Sequence, residues 1–263
     1  MKTAIFSDVH ACPSAFEKCI LDAQDKGCTN FMCLGDIVGY GYDPNFCIEQ
    51  CRSGGITTLM GNHEAGLIGA LQMQWFSPIA KENILRQQEV VTAENKAWLQ
   101  QLKYSMTAKT EDGFTAAFSH GTFTYPKRFD YINGYSDAAM EFADLMTKGI
   151  KVLFVGHTHI AEAYVYEKDS RITENFIDLE DRSPIDLAAN TCTIVNVGSC
   201  GYPRNQPYSI YCIYDDEKKT ATHRILEFDF EDYRLQMEAA DISVPLWLDA
   251  REEEAKNRRV EWK

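Results

Sequence analysis

Five short segments of the chain carry side chains that bind divalent cations. They read Asp8-x-His10, Gly35-Asp36, Gly61-Asn62-His63-Glu64, His120-Gly121 and Gly156-His157-Thr158-His159, and they contain five of the six histidines. Carboxylate, amide and imidazole groups are hard or borderline metal ligands, and no thiolate lies among them. This composition predicts a metal site.

These ionisable side chains are informative only as a set. A single Asp-x-His or Gly-Asp pair carries little information, and a lone buried histidine is more often a hydrogen-bonded core residue than a ligand. Burying several ionisable groups side by side without a cation costs on the order of several kcal/mol for each charge. A purely structural cluster of this composition is therefore improbable, and the set favours a functional site.

Two further features are interpreted as structural. His223 stands apart from the five segments on a predicted hairpin strand, where we expect a partly exposed cross-strand residue. Cys47 and Cys51 lie one helical turn apart, but two thiols without other ligands nearby favour core packing over a metal site.

The segments follow apolar stretches of strand length, at residues 3–7, 30–34, 56–60, 114–119 and 151–155. Ser14 with Glu17 is typical of a capping box that opens a helix ending at Gly27, and Asp43 before Pro44 is typical of a second helix start. The resulting βαβαβ order favours a parallel sheet, and ligands bind at the carboxyl ends of such strands. We therefore expect the five segments to meet at one place.

The remaining chain is divided by its periodicity. Residues 64–102 show helical spacing and predict a helical insertion, and residues 136–148 predict a further helix. The region from residue 162 onward is rich in strands, predicted at 162–167, 175–179, 193–197, 208–214 and 222–230. We expect a single domain over residues 1–250, followed by a charged tail over residues 251–263.

Composition narrows the class of protein. The 263 residues are 45% apolar and 25% charged, which describes a globular chain, and the formal net charge is −13 with a pI near 4.9. This balance disfavours binding to a nucleic-acid backbone. No stretch is long and apolar enough to act as a signal peptide or to cross a membrane, and nine cysteines without a CxxC pair indicate reduced thiols. These features predict a cytoplasmic protein without a membrane partner.

In order and spacing, the five segments resemble the complete five-block pattern of the calcineurin-like metallophosphoesterases. Four further stretches, at residues 35–45, 75–78, 94–99 and 196–204, resemble a bacterial branch of stand-alone enzymes in this family. The similarity covers residues 1–250. It implies a mixed α/β fold of four layers, α/β/β/α, in which two facing mixed sheets are flanked by helices.

The resemblance also implies two metal ions and their ligands. The first metal is held by Asp8, His10, Asp36 and His159, and the second by Asp36, Asn62, His120 and His157, so that Asp36 bridges the two. The donor types suit Mn, Fe, Zn, Ni or Co alike, and the sequence leaves the identity of the metals open.

The reaction implied is the hydrolysis of a phosphate ester, by in-line attack of a hydroxide that bridges the two metals. His63 corresponds to the general acid that protonates the leaving oxygen, and Glu64 is expected to orient the His63 ring. Arg204 follows a glycine-rich turn, where its guanidinium can take a phosphate oxygen or lie on the surface. Tyr131, Phe76 and Tyr202 are candidates for the pocket wall or for the core.

Several alternatives stay open. The substrate is expected to be a small phosphomonoester, phosphodiester or nucleotide, and the oligomeric state is not predicted. The same fold can serve as a catalytically inactive, protein-binding scaffold when its metal-binding residues are lost, although none of these residues is missing here. A nuclease is a third reading, which the acidic balance disfavours.

Overall fold

Two six-stranded mixed sheets form the centre of the protein in the computed structural model, which describes residues 1–169, 171–176, 183–204 and 206–261. The first sheet has the order β3-β2-β1-β11-β12-β9. Its strands are β1 (Lys2–Phe6), β2 (Asn30–Cys33), β3 (Thr57–Thr58), β9 (Ile185–Asp186), β11 (Tyr208–Asp215) and β12 (Thr220–Glu227). Strands β1, β2 and β3 are parallel, and β11 pairs antiparallel with β1.

The second sheet has the order β4-β5-β6-β10-β7-β8. Its strands are β4 (Ser105–Lys109), β5 (Thr115–Ser119), β6 (Val152–Val155), β7 (Ala161–Tyr166), β8 (Ile172–Phe176) and β10 (Cys192–Val197). Strands β5, β6 and β10 are parallel, so this sheet also has a parallel half and an antiparallel half. The edge strand β4 was not predicted from the sequence, because its polar residues lack a buried face.

Helices connect and cover the strands. They are α1 (Pro13–Asp25), α2 (Pro44–Ser53), α3 (Asn62–Leu67), α4 (Pro78–Val90), α5 (Ala93–Leu99), α6 (Tyr135–Thr147), α7 (Phe230–Ala239) and α8 (Trp247–Glu261), with a 3-10 turn at Met73–Trp75. Asp43 caps α2 as predicted, since its side chain accepts a hydrogen bond from the Phe46 amide. The capping box predicted at Ser14 is wrong: Pro13 already occupies the first turn of α1, and the Ser14 hydroxyl lies 3.1 Å from the Tyr42 hydroxyl.

Alternation along the strands produces the layers. In β1, Phe6 packs in the cluster that includes Phe16 of α1, whereas Ile5 points between the two sheets. In β6, Phe154 packs between the sheets, and Leu153 packs with Phe142 of α6. The order of layers is therefore helix, sheet, sheet, helix, as the resemblance implied.

Two predicted segments end differently from the expectation. The strand predicted at 175–179 is observed earlier, as β8, and residues 177–182 lie outside the described residues. The charged segment 251–263 continues α8 as far as the chain is described, and Leu248 at the start of this helix is buried against α7. Within the described residues, no helix is both long and apolar enough to span a bilayer.

Candidate metal centre

The ends of five strands bring the predicted ligands to one place between the two sheets. Asp8 and His10 follow β1, Asp36 follows β2 and Asn62 begins α3 after β3, all from the first sheet. From the second sheet, His120 follows β5, and His157 and His159 follow β6. The parallel halves of both sheets thus direct their carboxyl ends at the same cluster.

The backbone at these strand ends is unusual. Asp8, His10, Asp36, His157 and His159 have φ values of 54°, 48°, 54°, 69° and 65°, in the left-handed region that residues other than glycine rarely adopt. Each such residue costs on the order of 1–3 kcal/mol, and such strain concentrates at functional sites. Backbone hydrogen bonds hold two of these turns together, from Asp8 N to Gly35 O and from His10 N to Asp36 O.

The first group of ligand atoms belongs to Asp8, His10 and His159. Asp8 Oδ1 lies 3.2 Å from His159 Nε2 and 3.7 Å from His10 Nε2, and the two Nε2 atoms are 3.2 Å apart. The opposite ring nitrogens are anchored, because His10 Nδ1 lies 3.0 Å from Val38 O and His159 Nδ1 lies 2.8 Å from Tyr202 O. These anchors aim both Nε2 atoms at the same point.

The second group belongs to Asp36, His120 and His157. Asp36 Oδ2 lies 3.2 Å from His120 Nε2, and His120 Nε2 lies 3.1 Å from the Asn62 side-chain oxygen. His157 is anchored through Nε2 to the Phe129 carbonyl at 2.9 Å, which leaves its Nδ1 toward the group. Asp36 also approaches the first group.

The donor atoms themselves test whether metal ions fit. Asp8 Oδ1 is buried and has no hydrogen-bond partner among the described residues, although it faces two imidazole nitrogens. Ligand atoms held about 2.0–2.2 Å from a shared ion lie about 3–4 Å from one another, which is the spacing found in both groups. The residues therefore fit two metal ions.

The charge states also fit. Burial lowers the pKa of His10 well below its usual value, and burial together with His120 lowers the pKa of His157 to about 3. Burial alone would raise the pKa of Asp36, but His120 and His63 outweigh it and hold this pKa well below the usual range. The centre thus offers an ionised carboxylate at Asp36 and neutral imidazoles at His10 and His157, the forms that bind metals. Asp36 outweighs burial at His120 and raises the pKa of this imidazole to about 9, so a metal ion at the second group would displace the His120 proton.

His63 lies at the edge of the centre. Its Nε2 is 3.9 Å from Asp36 Oδ2, and its ring packs edge-on against those of His10 and Phe76 at centroid distances of 4.8 and 5.6 Å. A Cβ on Gly39 would lie 2.0 Å from His63 Nδ1, so only glycine leaves room for this ring. Burial lowers the pKa of His63 to about 4.

The expectation that Glu64 orients His63 is wrong. The Glu64 carboxylate instead accepts hydrogen bonds from the backbone amides of Asp36 (2.8 Å), Val38 (3.0 Å) and Gly61 (2.9 Å). Glu64 is at the third position of α3, where its side chain reaches back to the helix start and to the loop after β2. It therefore fixes the loop that carries Asp36.

Arg204 comes close to the first group. One of its terminal nitrogens lies 3.4 Å from His159 Nε2, and its guanidinium lies 5.7 Å from the centre of the Tyr202 ring. Tyr202 is buried and stacks on Tyr40, while its carbonyl anchors His159. The turn after β10 therefore both fixes a candidate ligand and brings a cation to the centre.

Sequence reasoning missed Gln87 and Asn196. Gln87 of α4 is fully buried, accepts a hydrogen bond from the Gly39 amide at 2.6 Å, and donates to the Gly41 carbonyl at 3.2 Å. Asn196 of β10 donates to the Gly156 carbonyl at 2.8 Å and so supports the loop before His157. The available signal was a polar side chain on an otherwise apolar face.

Two residues set aside by sequence reasoning lie outside the centre. His223 is only 4% exposed, which corrects the prediction of a partly exposed residue, and its Nε2 donates to the Asn196 carbonyl at 2.7 Å. It occupies the buried face of β12 together with Ala221 and Ile225. Cys47 and Cys51 are buried in the core, and all nine cysteines are free.

Comparisons with known proteins add to this geometry. A family model described as the calcineurin-like phosphoesterase superfamily domain matches residues 1–219. An uncharacterized protein of Methanocaldococcus jannaschii is 28% identical over 250 residues, which cover 94% of this chain and 96% of that protein. The structure of a metallophosphoesterase from Sphaerobacter thermophilus is 28% identical with a TM-score of 0.78, and the match covers 95% of this chain and 98% of that chain.

A more distant structure supports the fold alone. A hypothetical protein from Pyrococcus horikoshii OT3 is 16% identical with a TM-score of 0.69, and the match covers 94% of this chain and 95% of that chain. The predicted architecture of two mixed sheets flanked by helices is therefore confirmed.

Proposed function

Since the chain belongs to the calcineurin-like phosphoesterase superfamily, we propose that it hydrolyses a small phosphate ester at a centre that holds two metal ions. One observation carries the proposal. Asp8 Oδ1 is buried without a hydrogen-bond partner in the described structure, while the imidazole nitrogens of His10 and His159 point at it. The Nδ1 atoms of both rings donate to backbone carbonyls, so in neutral imidazoles the Nε2 lone pairs face the carboxylate oxygen, and a metal ion between them satisfies all three atoms.

The two groups of donor atoms support one assignment of the ligands. Asp8, His10, Asp36 and His159 would hold the first ion, and Asp36, Asn62, His120 and His157 the second. Two divalent ions held by these residues would neutralise charge on the phosphate oxygens and would lower the pKa of the attacking water to about 7. Mn, Fe, Zn, Ni and Co all suit these donors.

His63 is assigned to the leaving oxygen. During hydrolysis the oxygen of water forms a bond to phosphorus, the bond from phosphorus to the leaving oxygen breaks, and that oxygen takes a proton. Burial keeps the His63 imidazole uncharged near pH 7, so it delivers a proton only after it has taken one, and the attacking water releases one. His63 is placed for this transfer because it borders Asp36 and is held by the rings of His10 and Phe76. General acids of this kind contribute about 10²–10⁴-fold to the rate.

Arg204 is assigned to binding the substrate anion. Its guanidinium lies beside His159, and two of its N–H groups can donate to phosphate oxygens at once. Glu64 takes no part in proton transfer in this scheme, because its carboxylate is occupied by backbone amides.

The scaffold and nuclease alternatives are less well supported. A silent scaffold does not need seven intact donors at strand ends, and a net charge of −13 opposes binding to a nucleic-acid backbone. We also propose that residues 1–250 act as one domain.

A cytoplasmic location fits nine buried free thiols, since oxidising compartments convert such thiols to disulfides.

The test is a metal titration with two chromogenic esters. Protein stripped of metal is reloaded with Mn²⁺, Co²⁺, Ni²⁺ or Zn²⁺, and its activity on p-nitrophenyl phosphate and bis(p-nitrophenyl) phosphate is measured beside its metal content. We expect two ions per chain and activity that returns with them. Failure to bind metal, or full activity of the stripped protein, would refute the proposal.

A further inference from the structure

A cleft of about 620 Å³ opens beside the second group of candidate ligands. Asn62 and His157 of that group line it, together with the rings of Trp75 and Tyr131 and the cations of Lys127 and Arg128. We call it the aromatic-basic cleft. Its size is that of a site for a small organic ligand.

The two rings are poised for stacking. The Trp75 side chain is 73% exposed, and Tyr131 is 51% exposed although its ring stacks on His157 with centroids 3.9 Å apart and planes within 4°. His157 therefore fixes the orientation of the Tyr131 ring. Exposed aromatic rings that border a cleft are available to stack on the planar bases of nucleotides.

The cations have an equally specific setting. Arg128 pairs with Asp130 at 2.9 Å, but no carboxylate lies within ion-pair distance of Lys127 in the described part of the chain. Lys127 lies over the Tyr104 ring at 5.2 Å. In a protein with a net charge of −13, an unpaired lysine beside the candidate centre favours an additional anionic group on the ligand.

A second cavity of about 500 Å³ provides a contrast. It lies between α4 and the segment before α8 and is lined by Ile79, Leu246 and Trp247. None of the seven candidate ligands lines it, and its wall carries two carboxylates, of Glu82 and Asp241, beside one cation, Arg86. The aromatic-basic cleft carries the reverse balance, with Lys127 and Arg128 beside the single carboxylate of Asp130. The aromatic-basic cleft is thus the better entry for an anionic substrate.

We propose that the aromatic-basic cleft binds the leaving portion of the substrate, and that this portion is a nucleotide. The inference rests on the proposed function. The base stacks on Trp75 or Tyr131, and Lys127 contacts a phosphate that is not attacked. The substrate class is therefore a nucleoside with at least two phosphates. Water attacks the terminal phosphorus, the bond to the bridging oxygen breaks, and that oxygen leaves on the nucleotide and takes a proton.

The test compares ADP, AMP and ribose 5-phosphate as substrates of the metal-loaded protein. Trp75→Ala should lower kcat/KM for ADP about 5- to 100-fold, through KM, and should lower the value for ribose 5-phosphate much less. Lys127→Met should lower the ADP value about tenfold and the AMP value less, because AMP lacks the second phosphate. Leu246→Ala and Lys81→Met are matched controls on exposed positions outside this cleft.

A binding measurement separates the two possible failures. ADP binding to the metal-free protein, followed by calorimetry, should weaken in Trp75→Ala and recover in Trp75→Phe, which keeps a ring. If simple esters are hydrolysed but Trp75→Ala affects ADP and ribose 5-phosphate equally, the assignment of the cleft is wrong and the proposed function stands. If ADP binding weakens in Trp75→Ala but no ester is hydrolysed, the proposed hydrolase function is wrong and the assignment of the cleft as a nucleotide site stands.

Discussion

Two polar regions of the protein differ in whether their groups satisfy one another. In the first, which we call the β12 network, the Asp22 carboxylate accepts hydrogen bonds from the Tyr211 hydroxyl at 2.7 Å and from two guanidinium nitrogens of Arg224 at 2.9 Å each. In the candidate metal centre, Asp8 Oδ1 and His63 Nδ1 are buried and have no such partner within the described residues. Polar groups that stabilise the fold therefore have hydrogen-bond partners within the protein, whereas polar groups of a ligand site lack them.

The backbone differs in the same way. The β12 network joins the last turn of α1 to residues that face each other across β11 and β12, so its groups are positioned by regular structure. The donors of the centre lie on turns after strands, and five of them have positive φ. Regular secondary structure is enough to position an ion pair. Bringing several metal donors to one point requires strained turns, which the packing of the surrounding protein must stabilise.

The substitution with the largest expected effect on the metal centre is Asp36→Asn. The change removes the charge that lies between the two groups of donors, so we expect metal content to fall below two ions per chain and turnover to fall about 10³-fold or more. The metal-free variant should be less stable than the metal-free wild type near pH 7, because the ionised Asp36, whose pKa is held below its usual range, pairs with His120 3.2 Å away. Elemental analysis, turnover and urea unfolding measure the three quantities. Two ions and an unchanged rate would contradict the role of Asp36.

His63→Ala sharpens the comparison within the centre. We expect both ions to be retained and turnover on esters with poor leaving groups to fall about 10²–10⁴-fold, because the proton donor is lost. The loss should be smaller for p-nitrophenyl esters, whose leaving oxygen needs little protonation. Unchanged turnover on alkyl esters would remove His63 from the mechanism.

Arg224→Met tests the β12 network. The variant leaves the Asp22 carboxylate without its cation, and since both side chains are only half-buried we expect a loss of about 1–3 kcal/mol in the free energy of unfolding. Metal content and kcat should stay at the wild-type values. A large fall in turnover without a fall in stability would show that this network is not purely structural.

Much of the centre could be predicted because both the types of the donor residues and their positions along the chain are recognisable in the sequence. The donors are rare residue types placed directly after apolar strands, and the strands are short runs that alternate with capped helices. The role of Glu64 could not be predicted, since the sequence does not show that three backbone amides face its carboxylate. The exposure of Trp75 was also hidden, because an isolated tryptophan in a helical segment resembles a core residue.

The burial of His223 was not predicted for a different reason, and this burial makes the stability of the protein depend on pH. On β12 it alternates in step with Ala221 and Ile225, a spacing that predicts the buried face, whereas the polarity of imidazole predicts exposure, and the spacing decides the outcome. Burial lowers its pKa to about 4, against about 6.5 in an unfolded chain. Between these values the unfolded chain binds more protons, so stability falls as the pH falls through this window.

Replacing His223 by Gln removes this titration and keeps an N–H donor for the Asn196 carbonyl. We therefore expect the difference in unfolding free energy to shift in favour of His223→Gln by about 2 kcal/mol between pH 7.5 and pH 5. Urea unfolding across that range measures the shift. Parallel stability curves would mean that His223 has the same pKa in the folded and the unfolded protein, and its burial would then have no effect on its charge.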